Sequence, residues 1–346
     1  MAQNSKISWT EATWNPLAGC TAVSPGCKHC FAARLARRLA AMGQVKYIGT
    51  AERRGSVDVF TGHINLDEAA LQIPLRRKKP TMYFVNSMSD LFHESVSFEF
   101  IDRVFAVMNM TSTRLPIPRN FTQAKPWHCY QVLTKRPERM AEYIRSRCGG
   151  FGVGGHPLFQ CRDLARGRGT DLMNASAVLS WPLPNVWLGV SVEDKARLPR
   201  IDVLRTIPAA VRFVSFEPLL EDLGEIELDG INWAITGGES GPGSRPHDLD
   251  WSREIGKQCQ AADVAWWHKQ MGSNCIARWN DPAIVDLVKS GACSERSVQL
   301  GDDWHIREID GDPMRGRISF KHSKGEDQAE WPPEFRVQQM PEVQDA

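Results

Sequence analysis

The sequence predicts an α/β fold: a parallel (β/α)8-like barrel, or a partial TIM barrel, with a long insertion and a C-terminal appendage. Three observations carry that expectation. Short β-branched or aromatic runs alternate with stretches of helical period. Helix start and stop signals fall where the period changes. Polar residues recur directly after the apolar runs, as happens where parallel strands open onto one mouth.

In chain order, strands are expected in the segment ending near Asn15 and at 57-VDVF-60, 81-TMYFV-85, 129-CYQVL-133, 186-VWLGV-190, 211-VRFVS-215, 232-NWAIT-236 and 264-VAWWH-268. Their branched and aromatic residues suit a pleated, half-buried surface. Between them, 31-FAARLARRLAAM-42 reads as a helix stopped by Gly43, and 98-FEFIDRVFAVMNM-110 as a second. Residues 137-PERMAEYIRS-146 place a proline at the first helical position. Helices are also expected over 194–205, made irregular by Pro199, and over 250–262. Residues 111–127 and 148–182 lack either period and read as loops, the second being a long insertion with seven glycines. The barrel is thus assigned to 1–272 and the appendage to 273–346.

With 42% hydrophobic and 24% charged residues, the composition excludes a wholly disordered or collagen-like chain. No apolar run approaches the roughly 20 residues a membrane-spanning helix needs, and the start, MAQNSKISW, lacks signal-peptide character. A cytoplasmic protein without membrane contact is expected. Forty-two basic against 41 acidic side chains exclude a uniformly charged coat protein. The balance is uneven along the chain: residues 1–80 hold 12 basic and 5 acidic side chains, so this end could meet phosphates or simply be a solvated surface.

Nine cysteines, without a secretion signal, point to reduced thiols rather than a disulfide scaffold. Cys20, Cys27 and Cys30 stand apart as C-x6-C-x2-C in the loop after the first strand. Three thiolates can hold a four-iron cluster and leave one iron open. Zinc is the alternative, with His29 or a distant cysteine as fourth ligand, and incidental thiols are a third reading. The other strand ends supply Asn86, Ser87 and Asp90; Lys135 and Arg136; Ser191 and Glu193; Glu217; and Gly237, Gly238 and Glu239. Lys135 and Arg136 suit a carboxylate or phosphate, and with Glu217 they are the candidate catalytic residues. His29, Asn86, Ser87, Asp90, Ser191, Glu193, Gly237, Gly238 and Glu239 are candidates for binding a cofactor. His63, His93 and His268 also stand near strand ends. Twelve tryptophans against four tyrosines are mostly core or mouth lining, with one or two free to stack on a base.

The strings 14-WNPLAGC-20, 24-SPGCKHCFA-32, 86-NSMSDLFH-93, 133-LTKRPERM-140, 188-LGVSVED-194, 214-VSFEPLL-220 and 236-TGGESG-241 resemble a phage-associated family of uncharacterised proteins with a three-cysteine motif. That family is similar to radical S-adenosylmethionine enzymes. The resemblance implies a [4Fe–4S] cluster on Cys20, Cys27 and Cys30, with S-adenosyl-L-methionine beside it. It also implies cleavage to a 5′-deoxyadenosyl radical and an electron donor such as flavodoxin or ferredoxin. Three features depart from that superfamily. The first cysteine spacing is longer than usual, and His29 replaces the aromatic residue that often contacts adenine. The Gly-Gly-Glu string, which normally follows the second strand and binds the cofactor amino group, here follows the seventh expected strand.

The leading expectation is therefore a radical S-adenosylmethionine-like iron–sulfur enzyme that modifies or repairs a nucleic acid or nucleotide. The alternative is a non-catalytic, zinc-stabilised nucleic-acid-binding or phage accessory protein.

Overall fold

The computed structural model of the chain describes residues 5–112, 128–148, 181–278, 281, 315–318, 324, 326–328 and 331–342. The predicted loop at 111–127 and insertion at 148–182 fall almost wholly outside those residues, as does much of the appendage. No helix among the described residues is long and apolar enough to cross a membrane.

The N-terminal elements are β1 (Ala12–Trp14), β2 (Leu17–Ala18), α1 (Phe31–Ala41), β3 (Ala51–Arg54), β4 (Val57–Phe60), β5 (Asn65–Leu66) and α2 (Gln72–Arg76). Next come β6 (Thr81–Val85), α3 (Phe98–Met110), β7 (His128–Thr134), α4 (Pro137–Cys148), β8 (Val186–Ser191), α5 (Pro199–Arg205) and β9 (Val211–Phe216). The C-terminal elements are β10 (Trp233–Gly237), β11 (His247–Asp248), α6 (Leu249–Ala261), β12 (Ala265–Gln270), β13 (Cys275–Arg278) and β14 (Arg315–Ile318). Seven strands form one sheet in the order β1-β6-β7-β8-β9-β10-β12, with parallel pairing at each recorded register. This is a parallel α/β sheet of partial-barrel type. Strands β8 and β10 are buried at every position, as parallel strands covered on both faces are.

One expected barrel strand is not in that sheet. Residues 57–60 form β4 and pair antiparallel with β3, closed by Gly55 at φ +58. The run VDVF is too short to reveal its partner, and three of the four residues of β3 are exposed, so the pair stands as a surface hairpin. Consequently 81–85 is the second strand of the sheet in chain order and not the third. Residues 194–205 also differ from one continuous helix: a 3-10 turn at Lys195–Arg197 precedes α5, which opens on Pro199. Proline's locked φ suits a first helical position and its missing N–H rules out an interior one.

The chain divides into two compact units. The first holds residues 1–190, 200–212 and 343–346, and the second holds 191–199 and 213–342. In the first, Trp14, Tyr83 and Tyr130 are fully buried, with the Tyr83 and Tyr130 rings stacked 5.5 Å apart. The polar ends of two of these rings are satisfied: Trp14 Nε1 donates to Ala70 O at 2.8 Å, and Tyr130 Oη meets Thr111 Oγ1 at 2.6 Å. Ser97 caps α3 by accepting from the Phe100 amide at 3.3 Å.

In the second unit, β13 pairs with β11 and β14, and residues near Gln338 bridge antiparallel to Trp267 on β12. That C-terminal segment covers a strand whose outer edge would otherwise be left unpaired. Trp331 and Phe335 from the same segment enclose His268, at ring separations of 5.1 and 5.0 Å.

Candidate functional site

The loop after β1 is fixed to the loop after β6 by short polar contacts. Asn15 Oδ1 accepts from Ser87 Oγ at 3.2 Å and from the Met88 amide at 3.1 Å, and Ser89 Oγ donates to Leu17 O at 3.1 Å. Ser87, expected to meet a cofactor, is thus engaged with Asn15. Gly19 follows at φ +100, where a Cβ would lie 2.0 Å from His63 O, so only glycine fits. The next residue is Cys20.

Cys20, Cys27 and Cys30 are each half-buried free thiols. Cys27 ends the 3-10 turn that starts at Pro25, and its Sγ is 3.8 Å from Ser24 Oγ. Cys30 is the residue that precedes the first turn of α1. Burial, then the Asp90 charge, pushes Cys20 up to about 12, against the opposing pull of Arg136. Burial also raises Cys30, opposed by the Ala33 and Ala32 amides and by Lys135. Cys20 is coupled electrostatically to Cys30, and Cys30 to Cys27, so the three thiols share one neighbourhood. As placed, no group of three or more His, Cys, Asp or Glu side chains among the described residues is gathered tightly enough to hold a metal ion. Thiolates are ligands for iron–sulfur clusters and for zinc alike, and neither ligand set is assembled among the described residues in this arrangement. His29 lies half-buried between the last two cysteines.

Asp90 and Arg136 hold this loop from beneath. Asp90 accepts from Thr134 Oγ1 at 2.7 Å, the Phe92 amide at 3.0 Å, the Lys135 amide at 3.1 Å and Arg136 Nη1 at 3.1 Å. Arg136 donates from Nε to both oxygens of Glu94, at 2.9 and 3.0 Å, and from Nη2 to Thr21 O at 3.2 Å. Its Nη1 also reaches Cys20 Sγ at 3.7 Å. Burial works against the Arg136 charge, but Asp90, Cys20 and Glu94 together hold its pKa above the usual range. His93 accepts from the Ser95 amide at Nδ1, which leaves Nε2 as the donor to Thr21 Oγ1 at 2.7 Å. Burial and the nearby Arg136 charge lower the His93 pKa, against the opposing pull of Glu94 and Asp90.

Asp90, a candidate for binding a cofactor, and Arg136, a candidate catalytic residue, are both engaged by internal bonds that hold Cys20 and Thr21. Glu94 and Thr21 were not read from the sequence, because only the folded loops bring them to Arg136. Lys135 keeps its electrostatic contact with Cys30.

Asn86 behaves differently. Its backbone amide donates to Trp14 O at 2.8 Å, and its φ of 60° puts a non-glycine residue in the left-handed region. The side chain is buried, and among the described residues neither its amide nitrogen nor its amide oxygen has a hydrogen-bond partner. A buried amide left unsatisfied costs about 1–3 kcal/mol, and the backbone conformation adds to that. Asn86 thus combines local strain and an unsatisfied buried amide at a strand's C-terminal end.

The remaining candidates belong to the second unit. Ser191 and Glu193 are buried, and Glu193 O accepts from the Leu220 amide at 3.0 Å. Glu217 pairs with Lys269 Nζ at 2.8 Å and accepts from Ser215 Oγ at 3.3 Å. Gly237 and Gly238 serve close packing. A Cβ on Gly237 would lie 2.9 Å from Glu217 Oε1, and one on Gly238 only 2.5 Å from Met271 O. Glu239 is buried and engaged by Arg245, through the backbone amide at 2.9 Å, Nε at 3.1 Å and Nη2 at 2.6 Å. Gly237, Gly238 and Glu239, candidates for binding a cofactor, are thus engaged by close packing and internal bonds. Of the three further histidines, His63 contributes its carbonyl beneath Gly19, His93 steadies Thr21, and His268 is sealed in the aromatic enclosure.

A parallel βα sheet with three cysteines in its first loop and polar residues at its strand ends defines an α/β protein of partial-barrel class. Within that class the chain belongs to the family described as "Protein of unknown function (DUF5131)", whose model matches residues 4–315. No curated protein and no solved structure matches it.

Proposed function

We propose that the protein is a radical S-adenosylmethionine-like enzyme that acts on a nucleic acid or nucleotide, with Cys20, Cys27 and Cys30 as ligands of a [4Fe–4S] cluster. The observation that carries this reading is Asn86. With β4 outside the sheet, the 86-NSMSD-90 loop follows the second sheet strand, the place where the resembling enzymes bind the cofactor amino group. Asn86 offers there a buried amide oxygen with no partner among the described residues, suited to accept from an ammonium group. When bound, the cluster supplies one electron to S-adenosylmethionine, and a donor such as flavodoxin or ferredoxin replaces it.

The chain's own residues have preparatory roles. Arg136 holds Cys20 and Thr21 in place and lends positive charge to a sulfur that must become thiolate. Asp90 keeps that guanidinium from swinging away. Lys135 adds positive charge near Cys30.

The test is anaerobic reconstitution with iron and sulfide, followed by calorimetry with S-adenosylmethionine. Four irons per chain and binding that Asn86→Ala weakens are expected. Stoichiometric zinc with no iron uptake would replace this reading with the zinc-stabilised one.

A further inference from the structure

Residues 16–66 carry seven basic and two acidic side chains. Both acids are already used: Asp58 holds Arg37 at 2.6 Å and Arg53 at 3.3 Å, and Glu52 holds Arg54 at 2.6 Å. Lys46 is paired with Asp67 at 3.0 Å. Lys28, Arg34 and Arg38 remain, and none has an ion-pair partner among the described residues. Arg34 and Arg38 share one face of α1, three and seven residues after Phe31, with Met42 continuing the stripe four residues on.

That face is unusual in what it leaves outside. Phe31 is 54% exposed and Met42 65%, although the opposite face of α1 buries Ala33 and packs Ala32 and Ala36 in a small core with Ala18, Tyr47 and Met88. The Arg34 guanidinium lies over the Phe31 ring, 6.0 Å from its centroid. An aromatic ring directly after Cys30, three unneutralised cations beside it and an exposed methionine make a surface with apolar and cationic character together. Single-stranded nucleic acid has the complementary pair: a phosphate backbone and exposed base faces.

We propose that the exposed face of α1, with Phe31, Arg34, Arg38 and the neighbouring Lys28, docks single-stranded nucleic acid and leads it toward the cysteine loop. Arg34, Arg38 and Lys28 contact phosphates, and Phe31 stacks on a base. The inference names the docking surface for the substrate proposed above and rests on that reading only for the direction of the strand. The charges and the ring are present whatever the cysteines hold.

The experiment uses the full chain without iron, so it reads binding and no chemistry. Fluorescence anisotropy with a short labelled single-stranded DNA of mixed sequence should show binding that weakens with salt. Each cation removed should flatten the slope of log affinity against log salt by about 0.7. The double variant Arg34→Gln with Arg38→Gln should thus lose about 1.4 of that slope and at least tenfold in affinity, and Phe31→Ala roughly tenfold. Phe31 and Arg38 are exposed and Arg34 is half-buried, and circular dichroism checks that the variants fold. Lys257→Gln, on the surface of α6, should bind as the parent does. No binding, binding unchanged in the double variant, or displacement of the DNA by polyglutamate at equal charge concentration would overturn the proposal. The last result would mark the face as a site for an acidic protein. Failure of iron loading with intact DNA binding would overturn the cluster and leave this surface standing.

Discussion

The Nη1 of Arg136 donates both to the Asp90 carboxylate, at 3.1 Å, and to the Cys20 sulfur, at 3.7 Å. One buried guanidinium thus ties the loop after β7 to the loop after β6 and to the first cysteine. The planar fork is what permits this, since Nε and Nη2 remain free to bond Glu94 and Thr21.

Arg136→Lys keeps the charge and loses the fork. Removing one member of a buried charged network typically costs about 3–5 kcal/mol; with the charge retained and Glu94 largely exposed, about 2 kcal/mol is expected. Urea denaturation measures the stability, and iron content after reconstitution measures the effect on the cysteine loop. Parent-like values in both would remove Arg136 from its positioning role.

Asn86→Gly should stabilise the ligand-free protein by about 1 kcal/mol, because glycine accepts φ 60° without strain and no amide is left unsatisfied. The same change should abolish the affinity for S-adenosylmethionine. A variant that is both less stable and fully competent to bind would show that the strain at Asn86 is not kept for a ligand.

Gly238→Ala should destabilise the protein by about 2–3 kcal/mol. The added methyl would stand 2.5 Å from the Met271 carbonyl oxygen and 2.9 Å from the His247 side chain, and backbone cannot step aside as a flexible side-chain end can. A thermal midpoint within a degree of the parent would contradict the close packing.

Stability should fall with acid through two buried histidines. Burial lowers His247 to about 4 and, with the His247 charge adding to it, lowers His268 further. The groups around His268 are neutral: Thr236 Oγ1 at 2.9 Å from Nδ1, the stacked His247 ring, and Trp266, Trp331 and Phe335. Unfolded histidine titrates near 6.5, so below that pH the unfolded chain binds the extra protons. The contribution is complete above about pH 6.5 and is lost as pH falls toward 4, at up to roughly 1.4 kcal/mol per pH unit for each histidine. Denaturant titrations between pH 7 and 5 measure the slope, and His268→Phe should remove about half of it. A flat profile in the parent would show that these rings are open to protons in the folded state.

Periodicity alone located seven of the sheet strands, because a strand's branched, alternating or fully apolar pattern is written in consecutive residues. Gly43 stopping α1, at φ +79, and Pro137 opening α4 were legible for the same reason: both act through the conformation of their own residue. The cysteine loop was legible from spacing. What only the tertiary structure decided is partnership. VDVF joined the nearby hairpin and not the sheet, Arg136 and Glu239 turned to internal partners, and Asn86 was left with none. Those outcomes depend on groups brought together from up to more than a hundred positions away, such as Cys20 and Arg136, 116 residues apart. A side chain's chemistry is fixed by its identity, but whether that chemistry stays available depends on which neighbours the fold has already placed within hydrogen-bonding reach.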